Sequence, residues 1–321
     1  MFKAFFKSRK WVIIAYVGLI FLLWVNYYQT VLRVKLNEWY RSFYDICQDI
    51  QKHTIDDFYS QMLVFMWVAM PFVISVVIER YVARVWALKW REAMTFSYLS
   101  HWRKVKNEIE GSSQRIQEDI YLFTKMVENL GIKIVAALMT LFAFIPVLWN
   151  LSKGVDIWFI KDVPGSLVWI ALIVSIGGLI ISWFVGWFLP HLEYNNQKVE
   201  AAFRKELVFA EEDKQNYASE EKIVDLFERI KYNYNRLFLH YGYFDIWLNS
   251  FNQILVIVPY LIMGPGIFTK VITLGVLIQV SNAFNQVRAS FSIFTNNWTA
   301  ITELRSIYIR LKEFQKNINY S

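Results

Sequence analysis

The chain has 321 residues, of which 56% are hydrophobic, 18% aromatic and 19% charged, with a formal net charge of +7. A mean hydropathy of +0.29 and long uninterrupted apolar runs exclude disordered, collagen-like and coiled-coil classes and point to a membrane. One cysteine, Cys47, leaves no internal disulfide, His53, His101, His191 and His240 are too scattered for a metal site, and the positive excess reads as loops facing anionic lipid rather than nucleic acid.

Stretches free of Asp, Glu, Lys and Arg place the spans, because a helix crossing the roughly 30 Å hydrocarbon core needs about 20 mostly apolar residues. The first, Trp11 to Leu32, follows Lys3, Lys7, Arg9 and Lys10 and is too long for a signal-peptide core. The second is Phe58 to Ile78 and the third Ile134 to Ser152. The fourth, Val163 to Leu192, is long enough to leave the bilayer still helical. Ile246 to Thr269 is the fifth; Val271 to Val287 is the sixth, which crosses Arg288 and stays uncharged to Ile301. With their flanks the spans fall near 11–32, 58–82, 128–152, 163–192, 246–269 and 271–294, followed by a short tail, 302–321. The expected fold is an all-α polytopic membrane protein with six transmembrane helices.

Segments 83–133, 193–245 and the tail carry most of the Lys and Arg. The intervening loops hold Arg33, Lys35, Arg41 and Lys52, then Lys153 and Lys161, then Lys270, so the bias puts both termini in the cytoplasm. The two long inner segments keep helical periodicity and read as extensions of the spans. Tyr81 to Lys106 continues the second span, a turn falls near Gly111, and Gln114 to Lys133 leads into the third. Residues 193–213 prolong the fourth helix, Tyr217 to Ser219 turns, and Glu220 to Leu239 climbs back. Six spans with two long cytoplasmic hairpins is the layout of an ABC exporter membrane domain. No G-x-x-x-x-G-K-[ST] occurs and only 20 residues follow Ile301, so no ATP is expected to bind this chain. Catalytic motifs are absent too, and the expectation is a protein that is neither an enzyme nor cofactor-dependent.

Three polar patterns stand out. In HLEYNNQKVEAAFRKELVFAEED, Glu193, Glu200 and Glu211 align on one helical stripe, with Gln197 and Arg204 beside them. The stripe reads either as a solvated face or as carboxylates lining a cavity, where they can exchange protons. Glu118, Tyr121, Lys125 and Glu128 share a broad face before the third span, read either as an ion-paired anchor or as a second such set. In the sixth span Gln279, Asn282 and Gln286, with Asn285 and Arg288, form a polar stripe that must face other helices or water. Interhelical hydrogen bonds and a substrate pathway both fit it. Pro71, Pro146 and Pro259 lie inside spans.

Four separated stretches, in order, resemble the SbmA/BacA family of bacterial peptide transporters: WYRSFYDICQ at 39–48, GSSQRIQEDIYLFTKMVENLG at 111–131, LEYNNQKVEAAFRKELVFAEED at 192–213 and ITLGVLIQVSNAFNQVRASFSIFTNNWTAITELRSIYIRL at 272–311. The resemblance implies an exporter-like homodimer in the bacterial inner membrane that lacks a nucleotide-binding domain and imports peptides on the proton gradient. It makes Glu118, Glu128, Glu200 and Glu211, joined by Glu193, the cavity acids for proton coupling, and Tyr44 and Phe144 aromatic residues of the pathway. Family members carry further hydrophobic sequence before the W-Y-x-x-F-Y-D stretch, which makes this chain a short form. Two alternatives stand beside the importer. One is a permease whose separate ATPase docks at Gly111 to Gln114 and Tyr217 to Glu220; the other is a non-transporting membrane scaffold.

Overall fold

The computed structural model describes residues 1–105, 109, 111–152, 163–213 and 215–318, and every regular element among them is helical. In chain order these are α1 (Phe2–Phe6), α2 (Val12–Gln48), α3 (Ile55–Trp102), α4 (Ser112–Gln114), α5 (Ile120–Leu151), α6 (Ser166–Gly186), α7 (Leu189–Glu212), α8 (Glu220–Phe268), α9 (Leu274–Asn296) and α10 (Trp298–Asn317). A 3-10 turn, Ile50–Lys52, joins α2 to α3, and a π-helical stretch, Arg115–Asp119, joins α4 to α5. Lys106, Lys153 and Lys161 lie outside the described residues.

Five segments are long and apolar enough to cross a membrane: Val12–Gln48, Ile55–Trp102, Ser112–Leu151, Ser166–Glu212 and Glu220–Phe268. The helix expected as the sixth span, α9, is not among them, because its amides and Arg288 lower its apolar character. It packs instead against α2 and α5. Pro71, Pro146 and Pro259 all lie inside continuous helices.

Local chemistry explains the element boundaries. Thr54 and Asp57 form a capping box that starts α3: Thr54 N donates to Asp57 Oδ2 at 2.8 Å, and Asp57 N to Thr54 Oγ1 at 3.3 Å. Gly111 takes φ +71°, the left-handed turn expected there. The fourth helix is not continuous as anticipated but breaks between Gly186 and Leu189. Pro190 in the first turn of α7 has no N–H to offer the carbonyl of Gly186, so the α6 ladder cannot run on.

The chain forms two compact units, Met1–Ser175 with Pro259–Ser321, and Ile176–Val258. In the first, α2 and α3 run antiparallel, with Trp86 Nε1 donating to Ala15 O at 3.1 Å and Trp39 Nε1 to Gln61 O at 2.8 Å. Its main apolar cluster joins α1, α3, α5 and α10 through Phe5, Trp90, Met94, Tyr98, Ile120, Phe123, Leu311 and Phe314. Phe5 stacks on Trp90 at 5.8 Å, so the residues ahead of the first span form a packed helix, a feature the sequence reading passed over. The expected tail is likewise a docked helix, α10, with Ile307, Leu311 and Phe314 buried. In the second unit, Trp247 Nε1 donates to Ser182 Oγ at 3.0 Å and Phe203 meets Phe227 edge to face at 6.1 Å.

The start of α9 is capped by α2. Gly275 N donates to Asp45 Oδ1 at 3.1 Å, Leu274 N to Gln48 Oε1 at 2.6 Å, and Val276 N to Thr273 Oγ1 at 3.3 Å, satisfying three donors that a helix N-terminus leaves open. A Cβ on Gly275 would collide with the Arg41 carbonyl oxygen and the Asp45 carboxylate. Gly275→Ala is therefore expected to destabilise the first unit by about 1–3 kcal/mol, read as a lower thermal unfolding midpoint in detergent; an unchanged midpoint would contradict this packing.

Candidate functional site

The polar groups of the first unit lie on helices that the sequence separates widely. Asp45 and Gln48 near the end of α2 meet Gly275 and Leu274 at the start of α9, and the two helices pack on each other, with Asn37 of α2 and Gln279 of α9 both buried. Asn37 and Gln279 are 3% and 5% exposed, and Asn37 Oδ1 and Nδ2, Gln279 Oε1 and Asn285 Oδ1 find no protein hydrogen-bond partner among the described residues. Asn282, Gln286 and Arg288 are half-buried beside them. Buried amides without partners are strongly disfavoured unless water or a ligand meets them, so this seam is suited to a polar occupant.

Tyr44, near the C-terminal end of α2, is half-buried, with its ring 5.5 Å from that of Phe43. Phe144 is completely buried within the first unit.

The second set of predicted residues divides by burial. Glu118 is exposed in the π-helical stretch and accepts from Gln114 Nε2 at 3.1 Å. Glu128, ten residues further on, is half-buried with Arg84 and Lys125 as the nearby cations. Lys125 Nζ reaches the Tyr121 hydroxyl at 3.3 Å, while Arg91 lies 4.7 Å from the Tyr121 ring.

In the second unit one continuous helix, α7, carries Glu193, Glu200 and Glu211. Glu193 and Glu200 are half-buried and Glu211 is exposed; Tyr241 of α8 is the hydrogen-bonding neighbour of Glu193. Glu206, thirteen residues from Glu193 and so about 140° round the helix, faces the opposite way and is buried. Its Oε1 accepts from Ala218 N at 3.0 Å and its Oε2 meets Lys222 Nζ at 3.0 Å. The Ala218 N–H, and after it Lys222, hold this carboxyl below the usual carboxylate range. Glu206 thereby closes the α7–α8 turn, where Ala218 takes φ +55°.

Two further acids missed by sequence reasoning are buried in the first unit. Asp119, 1% exposed, is gripped by Arg310 Nε at 3.1 Å and by another Arg310 guanidinium nitrogen at 2.8 Å, and by Arg115 at 2.8 Å. Burial disfavours its charge, but the hydrogen bonds and charges of Arg310 and Arg115 outweigh that and keep the carboxyl below its ordinary range. The clamp ties α10 to the start of α5. Glu79 of α3, 5% exposed, accepts from Asn26 Nδ2 and, at 2.8 Å, from Gln29 Nε2, both of α2. Beside it Arg33 donates to Thr140 Oγ1 of α5 at 2.9 Å and lies 5.6 Å from the Phe72 ring. The one sequence signal for this cluster was Asn26 and Gln29, three residues apart in an uncharged run. Among the described residues no group of His, Cys, Asp and Glu is arranged to hold a metal ion.

The Asp119 clamp makes a pH-dependent prediction. Its folded-state pKa lies below the unfolded value of about 3.9, so its stabilisation is present above that value and is lost as pH falls through the folded pKa. Arg310→Ala is expected to remove about 1.5–3 kcal/mol at neutral pH, and thermal midpoints of variant and wild type should converge on acidification below about pH 4. Equal midpoints at neutral pH would contradict the clamp.

The model of the SbmA/BacA-like family matches residues 8–319. Among curated proteins, the chain is 27% identical over 309 residues to the inner membrane ABC transporter ATP-binding protein YddA of Escherichia coli, covering 89% of this chain and 54% of that protein. It is 26% identical over 253 residues to the chloroplastic ABC transporter D family member 2 of Arabidopsis thaliana, covering 74% and 34%. An uncharacterized ABC transporter ATP-binding protein of Synechocystis is 23% identical over 270 residues, covering 78% and 39%. The chain thus spans about half or less of the length of these relatives. Its apolar helices and its matches are those of a multi-pass membrane transporter, and the chain belongs to the SbmA/BacA-like family.

Proposed function

We propose that the protein imports peptides across the bacterial inner membrane on the proton gradient, working as a homodimer that opens alternately to either side. In this reading α9 is the sixth crossing, both termini are cytoplasmic, and the polar seam of Asn37, Gln279, Asn282, Gln286 and Arg288, with Tyr44 and Phe144, belongs to the substrate pathway. Glu118, Glu128, Glu193, Glu200 and Glu211 are the proton-coupling groups. The observation that carries it is family membership joined to acids on one stripe of α7, half-buried at Glu193 and Glu200.

The physical logic follows from charge. Ionised acids repel one another and hold a cavity wide and wet; protons arriving from the more acidic side remove charge and permit closure behind the cargo. Anionic walls also draw cationic peptides, a field reduced by Lys198, Arg204 and Lys205 on the same helix. Half-burial suits this work, since a group sealed like Asp119 between two guanidinium ions cannot readily change charge.

A second reading has a specific support. The Escherichia coli and Synechocystis relatives are named ATP-binding proteins, of which this chain spans about half or less. A separate ATPase chain would then drive the same helices.

The test is uptake of a labelled cationic peptide into proteoliposomes without ATP, under an inward proton gradient that is then collapsed by an uncoupler. Uptake is expected to stop with the gradient; uptake that requires ATP and an added ATPase would favour the second reading. Glu128→Gln and Glu200→Gln are each expected to lower gradient-driven uptake about tenfold, equivalent to about 1.4 kcal/mol of coupling. Wild-type uptake by both folded variants would contradict the role given to these acids.

A further inference from the structure

Two acids of the first unit are almost equally buried yet held by opposite chemistry. Asp119 sits between two guanidinium groups, which fix it in the ionised state. Glu79 receives two amide N–H groups, one on each oxygen, from Asn26 and Gln29. Both amides belong to the uncharged run of α2, and Glu79 directly follows the uncharged run Phe58 to Ile78 of α3. An ionisable side chain so placed in a spanning bundle is strongly disfavoured without a purpose for its charge.

We propose that Glu79 is a further proton-binding position of the transport cycle, with Asn26 and Gln29 as positioning residues that accommodate it in both charge states. The inference rests on the proton-driven reading above. Asn26 Nδ2 carries two hydrogens, one donated to Leu22 O at 3.0 Å and one to Glu79 Oε1. That orientation is pinned, and Oε1 stays an acceptor. Gln29 Nε2 donates to Oε2 at 2.8 Å, and a half-turn of this amide presents its carbonyl oxygen instead. A proton taken from the more acidic side forms one O–H bond at Oε2, which then donates to the turned Gln29 carbonyl; the same bond breaks when the proton leaves on the other side. No other bond changes. An amide can serve both states of a carboxyl, whereas a cation serves one.

The surrounding charges permit this exchange. From α2, Arg33 directs its guanidinium to Thr140 and Phe72 and bears on Glu79 through its field. On α3 itself, Arg80 and Arg84 are exposed, and α5 brings Glu128 towards Arg84. The α1 helix and the π-helical stretch reach α3 further along, at Trp90 and Arg91, where their charges are Lys3, Arg115, Glu118 and Asp119. Neutralising Glu79 weakens its two bonds to α2, so each proton loosens the α2–α3 contact. Further along the same contact, Trp39 of α2 donates to Gln61 O of α3.

The experiment compares two fluxes in proteoliposomes: exchange of labelled peptide at equal pH on both sides, and accumulation driven by a proton gradient. Glu79→Gln is expected to keep exchange and to lose accumulation. Accumulation equal to wild type in Glu79→Gln overturns the inference and leaves the proton-driven reading standing. Wild-type exchange without any gradient-driven accumulation overturns that reading, and this inference with it. Gln29→Leu supplies the second variant, since leucine is well tolerated in a spanning helix. It removes a donor to the carboxylate, so the pH midpoint of accumulation is expected to move to higher pH; a lower rate at an unchanged midpoint would reduce Gln29 and Glu79 to packing.

Discussion

A carboxylate removed from water must be met by donors or cations, and this requirement fixes where the helices of this protein meet. Glu79 fastens α3 to α2 through two amides, Asp119 fastens the start of α5 to α10 through two arginines, and Glu206 closes the α7–α8 turn through a backbone N–H and Lys222. In lipid, apolar faces give helices little preference among partners, so such polar contacts select a register that oily surfaces leave undetermined. The cap that Asp45 and Gln48 place on α9 does the same for the C-terminal end of α2.

The positions of these acids also divide the labour. Those fully enclosed by cations or backbone donors hold elements together and keep their charge. Those half-buried along α5 and α7, Glu128, Glu193 and Glu200, retain access to water, with Arg84 and Lys125 near Glu128 and Tyr241 beside Glu193. The proposed proton-driven cycle uses both kinds: fixed charges to keep the frame in register, and exchangeable ones to move between states. Glu79 combines full burial with uncharged partners, which sets it apart from both groups.

Much of the frame was legible in the sequence, because uncharged runs of about 20 residues have few readings. The long helices α3, α5 and α8, the turn at Gly111 and the turn before Glu220 all follow from periodicity and breakers. The break at Gly186 was missed because apolar character continues across it, although Pro190 marked it. Polar character showed that the α9 stripe faces other helices but also took α9 below the threshold of the five apolar spans. The packing of α1 and α10 was hidden, since short or amphipathic segments next to a membrane look alike whether docked or free. Of the site, the aligned acids of α7 were readable from 3.6-residue periodicity, whereas Asp119 with Arg310 and Glu79 with Asn26 are joined across 191 and 53 residues. No local pattern encodes such a pairing, so Asp119, one residue from Glu118, and Glu79, just past an uncharged run, went unnoticed.

The central claim is that peptide and proton move together through this protein. The most direct measurement loads proteoliposomes with a pH-sensitive dye, sets equal pH on both sides, omits ATP and adds cationic peptide outside. Coupled import predicts that the lumen acidifies on peptide addition and that an uncoupler abolishes the signal. Peptide entering the lumen with no change in its pH would contradict the account.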